Sequence, residues 1–180
     1  MTSSTDPPGN QTNFGYSPNN ELASLTDSKS NVTAWIYDVE GRLTQKTYPD
    51  ASRVIYTYED TTSRLKSVLD ALGQTKQYGY AADNLLTSIT YLNAVNATPN
   101  VGFAYDPYFP RRLSMTDGNG TTTYSYVPIG GLGALQFQQE SAPLPNSAIT
   151  YTYDSLGRVA SRIVAGAGTE TVGFDPIGRL

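Results

Sequence analysis

Short runs in which aromatic or β-branched residues alternate with polar ones recur along the whole chain, and each run ends on a turn signal. The clearest is Ile149-Thr150-Tyr151-Thr152-Tyr153-Asp154-Ser155-Leu156-Gly157-Arg158-Val159. Tyr151 and Tyr153 lie two apart, so they share one face of an extended strand. Asp154 and Gly157 lie three apart, and Asp and Gly favour the first and fourth positions of a type I turn. A type I turn followed by a left-handed residue closes a hairpin with a bulge. The run therefore predicts strand, turn and strand.

The pattern returns at a near-constant period, which decides the architecture. The second aromatic falls at Tyr16, Tyr37, Tyr58, Tyr80, Tyr105, Tyr126, Tyr153 and Phe174, in steps of 21, 21, 22, 25, 21, 27 and 21 residues. Two residues earlier stand Phe14, Trp35, Tyr56, Tyr78, Phe103, Tyr124, Tyr151 and Val172. An aliphatic column follows the turn at Leu22, Leu43, Leu65, Leu86, Leu113, Leu132, Val159 and Leu180. The fourth residue after the anchor is Asn20, Gly41, Thr62, Asn84, Phe109, Gly130, Gly157 and Gly178. Six of these are Gly or Asn, the residues that best tolerate positive φ. Pro18, Pro107, Pro128 and Pro176 take the second turn position, where a fixed φ fits. Thr62 and Phe109 break the rule and precede longer spacers, which predicts enlarged turns there.

Two strands per repeat give about sixteen in all. Asp70-Ala71-Leu72-Gly73 and Asp117-Gly118-Asn119-Gly120 supply turns at the opposite end of the hairpins. Residues 1–12, with Pro7, Pro8 and Gly9, are expected to be a flexible arm. Residues 13–180 are expected to form an all-β ribbon of tandem antiparallel hairpins, about eight repeats with the last one cut short. That truncation reads as a piece of a longer array. Gly130 to Leu135 is taken as an irregular return strand. No window shows helical periodicity.

Composition agrees. Charged residues are 16% of 180, below the roughly 25% of average proteins, and the length suffices for a domain with a real core. The net charge of −4 offers no basic patch for nucleic acid. There is no Cys for a disulfide, and no run reaches the roughly 18 apolar residues of a membrane span. Residues 1–11 contain no apolar run, so no signal peptide is expected within them.

Tyr37-Asp38-Val39-Glu40-Gly41-Arg42-Leu43, Tyr153-Asp154-Ser155-Leu156-Gly157-Arg158-Val159 and Phe174-Asp175-Pro176-Ile177-Gly178-Arg179-Leu180 resemble the YD repeat of Rhs proteins. Related repeats occur in toxin-complex shells and in teneurins. The resemblance implies a β-sheet spiralling into a hollow shell that encloses a toxin or other cargo, in a secreted or cell-surface parent protein. The partners it implies are the rest of a longer YD-repeat polypeptide and that cargo. Family members also carry a self-cleaving Asp-Pro-x-Gly-Leu segment. Asp175-Pro176-Ile177-Gly178 is similar to it, but Arg179 stands in the place of Leu, and a type I turn accounts for Asp175.

Candidate chemistry is sparse. With no His there is no imidazole base or metal ligand. Asp38, Asp106, Asp154 and Asp175 share one turn position, so structural duty outranks a carboxylate pair. No catalytic residue, cofactor or metal is assigned. Trp35, Tyr37, Asp38, Gly41, Arg42, Leu43, Tyr56, Tyr58, Tyr78, Tyr80, Tyr105, Tyr124, Tyr126, Gly130, Tyr151, Tyr153, Asp154, Gly157, Arg158, Phe174, Asp175, Gly178 and Arg179 are assigned to the repeat's structure. Asp38, Asp154 and Asp175 are placed to pair with Arg42, Arg158 and Arg179 across their turns. The alternative function is a carbohydrate-binding module in which Tyr56 and Tyr151 stack on sugar rings. Unpaired strands at the two edges predict self-association.

Overall fold

The computed structural model describes residues 2–175 and 177–179. Among them there is no helix, and sixteen strands alternate with turns. They are β1 (Thr2–Thr5), β2 (Gln11–Tyr16), β3 (Leu22–Thr26), β4 (Val32–Tyr37), β5 (Leu43–Thr47), β6 (Arg53–Tyr58), β7 (Leu65–Leu69) and β8 (Thr75–Tyr80). Then follow β9 (Leu86–Leu92), β10 (Val101–Tyr105), β11 (Arg112–Asp117), β12 (Gly120–Tyr126), β13 (Phe137–Ser141), β14 (Ile149–Tyr153), β15 (Val159–Val164) and β16 (Gly168–Thr171). Their order in the sheet is their order in the chain. The chain divides into two compact units, Met1–Gly79 with Ile89–Thr98, and Tyr80–Ser88 with Pro99–Leu180.

In the first unit the hairpin β4–β5 shows the rule. Ala34, Trp35 and Ile36 lie opposite Thr47, Lys46 and Gln45, and Tyr37 then lies opposite Leu43. Thr44 is left over as a bulge, which sharpens the local twist. The same slip occurs before Tyr16 and before Tyr58. In the second unit it occurs before Tyr105, Tyr126 and Tyr153. The bulge follows from the turn: a left-handed corner residue after a type I turn adds one residue to the returning strand.

Alternation gives the sheet two unlike faces. Trp35, Tyr37, Tyr56 and Tyr58 fall on one face in the first unit, and Tyr124, Tyr126, Tyr151 and Tyr153 on one face in the second. The other face carries hydroxyls and amides. Thr152 and Ser161 hydroxyls meet there at 2.7 Å, those of Thr116 and Thr121 at 2.9 Å, and the Gln139 amide donates to Thr150 at 2.9 Å. Ile36, at 52% exposure, shows how open that face is.

Four expectations change. A real core is absent: among the described residues only Val127 and Thr122, each 7% exposed, are buried. The chain leaves 11767 Å² accessible, where a folded monomer of 19.5 kDa scales to about 8,500 Å². Hairpins that add edge to edge do not cover their own faces. Residues 2–5, expected in the arm, form β1 against β2, because Asp6-Pro7-Pro8-Gly9 is one more Asp-x-x-Gly turn, with Gly9 at φ +91°. Gly130 to Leu135 is loop, not strand, and Phe137–Ser141 makes the return. Three glycines in four residues cost too much backbone entropy for a strand. Finally, Arg112 lies opposite Tyr105 and Phe137 opposite Tyr126. These two, not Leu113 and Leu132, hold the aliphatic column's place, because the enlarged turns shift the register. Pro176 and Leu180, expected at the turn and in the aliphatic column, lie outside the described residues.

Candidate functional site

Each Asp turn is built from one carboxylate. In Asp38–Gly41 the Gly41 N–H donates to the Asp38 carbonyl at 3.1 Å, and the Asp38 N–H donates to the Arg42 carbonyl at 3.0 Å. Asp38 Oδ1 accepts the N–H groups of Glu40 and Arg42 at 2.9 and 3.0 Å, and Oδ2 accepts Arg42 Nε at 2.7 Å. Asp154 repeats this with Leu156, Arg158 and Arg158 Nε at 2.9, 2.9 and 2.7 Å. So does Asp175 with Ile177, Arg179 and Arg179 Nε at 3.0, 2.8 and 2.8 Å. The spacing Asp-x-x-Gly-Arg thus places two amides and one guanidinium around one carboxylate.

The enlarged turns keep the pair. Glu59 holds Arg64 Nε at 2.7 Å across a turn whose left-handed residue is Ser63, φ +57°. Asp106 holds Arg111 at 2.8 Å. In the sixth repeat Gly130 has φ +93°, but Leu135, φ +66°, precedes the residue that closes the loop. The remaining Gly and Asn corners, Asn20, Gly41, Asn84, Gly157 and Gly178, all have positive φ. The opposite strand ends use related turns, with Ser30, Ala51 and Gly73 left-handed.

The second device ties five of the repeats to the one before. The Tyr37 hydroxyl donates to the Leu22 carbonyl at 3.1 Å, and Tyr58 to Leu43 at 2.9 Å. In the second unit Tyr105 donates to Leu86 at 2.8 Å, Tyr126 to Arg112 at 2.9 Å, and Tyr153 to Phe137. The turn arginine then covers the next anchor ring: Arg42 lies 4.6 Å from the Tyr58 centroid, Arg111 4.3 Å from Tyr126, and Arg158 4.0 Å from Phe174. Such contacts contribute about 0.5–1 kcal/mol at exposed sites. The same sequence position also reaches the next corner. Gln136 Nε2 donates to the Gly157 carbonyl at 2.8 Å, and a Cβ on Gly157 would stand 2.9 Å from that nitrogen. At Gly41 a Cβ would stand 3.0 Å from Glu21 Oε1. Positive φ favours glycine at both corners, and a Cβ there would in addition push aside the end of the Gln136 or Glu21 side chain.

The remaining aromatics form rows. Phe137 lies 5.9 Å from Tyr126 and from Tyr151, and 6.4 Å from Tyr124. Lys46 Nζ stands 5.8 Å from the Trp35 ring. Tyr56 and Tyr151 are half-buried within their rows. Tyr78 lines a groove of about 450 Å³ in the first unit, with Asp70, Lys76, Tyr91 and Thr98. The loop beyond β9 is fixed beside it by the Val95 N–H, which donates to Gln74 at 2.9 Å. Arg112 is the outlier: it takes an aliphatic place, 4.6 Å from the Phe103 ring, and its Nε is buried without a hydrogen-bond partner.

The electrostatics follow from the turns. The Arg158 N–H and the Arg158 guanidinium hold the Asp154 carboxyl below its ordinary value, against a smaller opposing effect of burial. The amide and side chain of Arg179 do the same for Asp175. These carboxylates are ionised and their lone pairs occupied, the reverse of what a general acid requires. The cause in each case is the turn itself. Among the described residues no cluster of three acidic side chains stands close enough to hold a metal ion.

The RHS Repeat family model matches residues 16–53, the span that holds the Asp38 turn and both hairpins around it. Residues 16–53 carry an RHS repeat. No curated protein matches the sequence. Among solved structures, the TcdB2–TccC3–Cdc42 crystal structure is similar with a TM-score of 0.70 and 16% identity, over 93% of this chain and 10% of that one. TcdB2–TccC3–TEV gives 0.71 and 15%, over 99% and 10%. The Photorhabdus luminescens Tc holotoxin pore gives 0.56 and 19%, over 96% and 9%. At these identities the likeness is one of fold. The chain spans about a tenth of the length of these structures. No helix among the described residues is long and apolar enough to cross a membrane. None of the similar proteins favours the carbohydrate reading.

Proposed function

We propose that this chain is a non-catalytic segment of an Rhs-type β-shell wall. Its partners are further YD repeats at its strand edges and the cargo that such a wall encloses, in a secreted or surface-exposed parent protein. One observation supports this most. The polar groups that the sequence repeats, the Asp carboxylate, the Arg guanidinium and the Tyr hydroxyl, bind the chain's own backbone or the next repeat's ring. Groups committed in this way stabilise a wall and are not themselves directed at a substrate. The near absence of buried residues fits the same role, since a wall one sheet thick has no interior of its own.

Limited proteolysis tests the reading. A disordered reporter peptide is linked to this chain alone and to a longer run of the same repeats. Protection of the reporter that appears only in the longer run supports enclosure. A reporter digested equally fast in both overturns it.

A further inference from the structure

The residue that faces the second aromatic across its hairpin is apolar in five repeats. Leu22, Leu43, Leu65, Phe137 and Val159 lie opposite Tyr16, Tyr37, Tyr58, Tyr126 and Tyr153. In the fifth repeat Arg112 takes that place, opposite Tyr105. A half-buried place among rings is a costly one for a charge, and Leu serves it elsewhere, so packing alone does not select arginine there.

The Arg112 guanidinium carbon lies 4.6 Å from the Phe103 ring centroid and 5.8 Å from that of Tyr124, which puts the charge on the aromatic face of the second unit. Its Nε is buried and has no hydrogen-bond partner. The turn arginines differ. Arg42, Arg64, Arg111, Arg158 and Arg179 each give a nitrogen to the carboxylate of their own turn. Among the described residues no carboxylate pairs with Arg112. Its charge is permanent, and its planar fork suits two parallel bonds to one carboxylate. The two rings hold the cation in place and shield it from water on their side, so little freedom is lost when an anion arrives.

The surroundings narrow the ligand. Met115 lies opposite Phe103, and Thr122, 7% exposed, lies opposite Met115. A group beside the guanidinium therefore meets apolar and ring surface. Glu140 lies opposite Tyr124 on the following strand, two strands from Arg112 or about 10 Å, and repels a run of acids. We propose that Arg112 binds a single carboxylate, that of an Asp or Glu in a protein segment laid against the aromatic face, with an apolar or aromatic neighbour of that acid packed on Phe103 and Tyr124. The segment is part of the cargo, an assignment that rests on the wall reading; the preference for a carboxylate does not.

Two capped tetrapeptides, Ala-Phe-Glu-Ala and Ala-Phe-Gln-Ala, are titrated into the whole chain and followed by isotope-edited NMR at the arginine Nε–H signals. The Glu peptide is expected to move the Arg112 signal and leave those of Arg42 and Arg158 in place, since their Nε groups already donate to Asp38 and Asp154. It is expected to bind about three- to tenfold more tightly than the Gln peptide, the gain of one charge-assisted pair at a partly desolvated site. Arg112→Leu, which returns the usual residue to the column, is expected to abolish that preference. Equal binding of the two peptides by the unaltered chain, or a preference for Glu that survives Arg112→Leu, overturns the site. The comparison on the unaltered chain decides even if the Leu variant folds poorly. A protected reporter with no preference for Glu removes this site and leaves the wall; a preference for Glu with an unprotected reporter does the reverse.

Discussion

Replacing Gly157 by alanine separates two reasons for glycine at a repeat corner. Its φ of +75° costs an L-residue about 1–2 kcal/mol. The new Cβ would also stand 2.9 Å from Gln136 Nε2, displacing the amide that donates to the Gly157 carbonyl at 2.8 Å. Loss of that hydrogen bond adds about 0.5–1.5 kcal/mol. The total is about 1.5–3.5 kcal/mol, against about 1–2 kcal/mol for Gly73→Ala, where φ is +78° and no atom lies within 4 Å of the Cβ position. The assay is a double-mutant cycle of Gly157→Ala with Gln136→Ala. It is read by hydrogen exchange at the β14–β15 amides, since repeat arrays need not unfold in one step. The expected coupling is about 0.5–1.5 kcal/mol, up to roughly tenfold in local opening. A coupling of zero, or Gly73→Ala costing as much as Gly157→Ala, refutes the claim that a Cβ at this corner displaces the Gln136 amide from the next repeat.

Tyr58→Phe keeps the ring under Arg42 and removes only the donor to the Leu43 carbonyl, so urea titration should show a loss of about 0.5–1.5 kcal/mol; an unchanged midpoint would remove the hydroxyl ladder from the account. Asp154→Asn loses both the charge beside Arg158 and one acceptor, and should raise amide exchange at Leu156 and Arg158 well above that at the unaltered Asp38 turn; equal exchange at the two turns counts against the carboxylate's role. Stability should be flat from about pH 5 to 9, because no His or Cys titrates there. Asp106, Asp154 and Asp175 lie below their ordinary values in the fold, so their contribution is complete above about pH 4 and is lost as pH falls through the folded values. Burial raises Tyr58 and Tyr153, so a second loss begins above about pH 10; thermal melts with a step between pH 6 and 8 would contradict this.

The sequence by itself determined the hairpins, their period and their corners. Those depend on local spacing: aromatics two apart for a shared strand face, and an Asp followed three residues later by a residue that accepts positive φ. Asp154 to Gly157 needs no distant contact to turn. The Asp–Arg pairs were legible for the same reason, since the turn itself brings the two side chains together. Tertiary structure decided what local spacing does not encode. It put Arg112 and Phe137 in the aliphatic column, because the loops before them slip the ladder by whole residues. It drew Thr2–Thr5 into the sheet, and it aimed the hydroxyls of Tyr37, Tyr58, Tyr105, Tyr126 and Tyr153 at carbonyls of the preceding strands. It also left the sheet without a core: every hairpin adds to an edge of the one before, so burial depends on what lies against the faces, and no residue in a strand's own sequence specifies that.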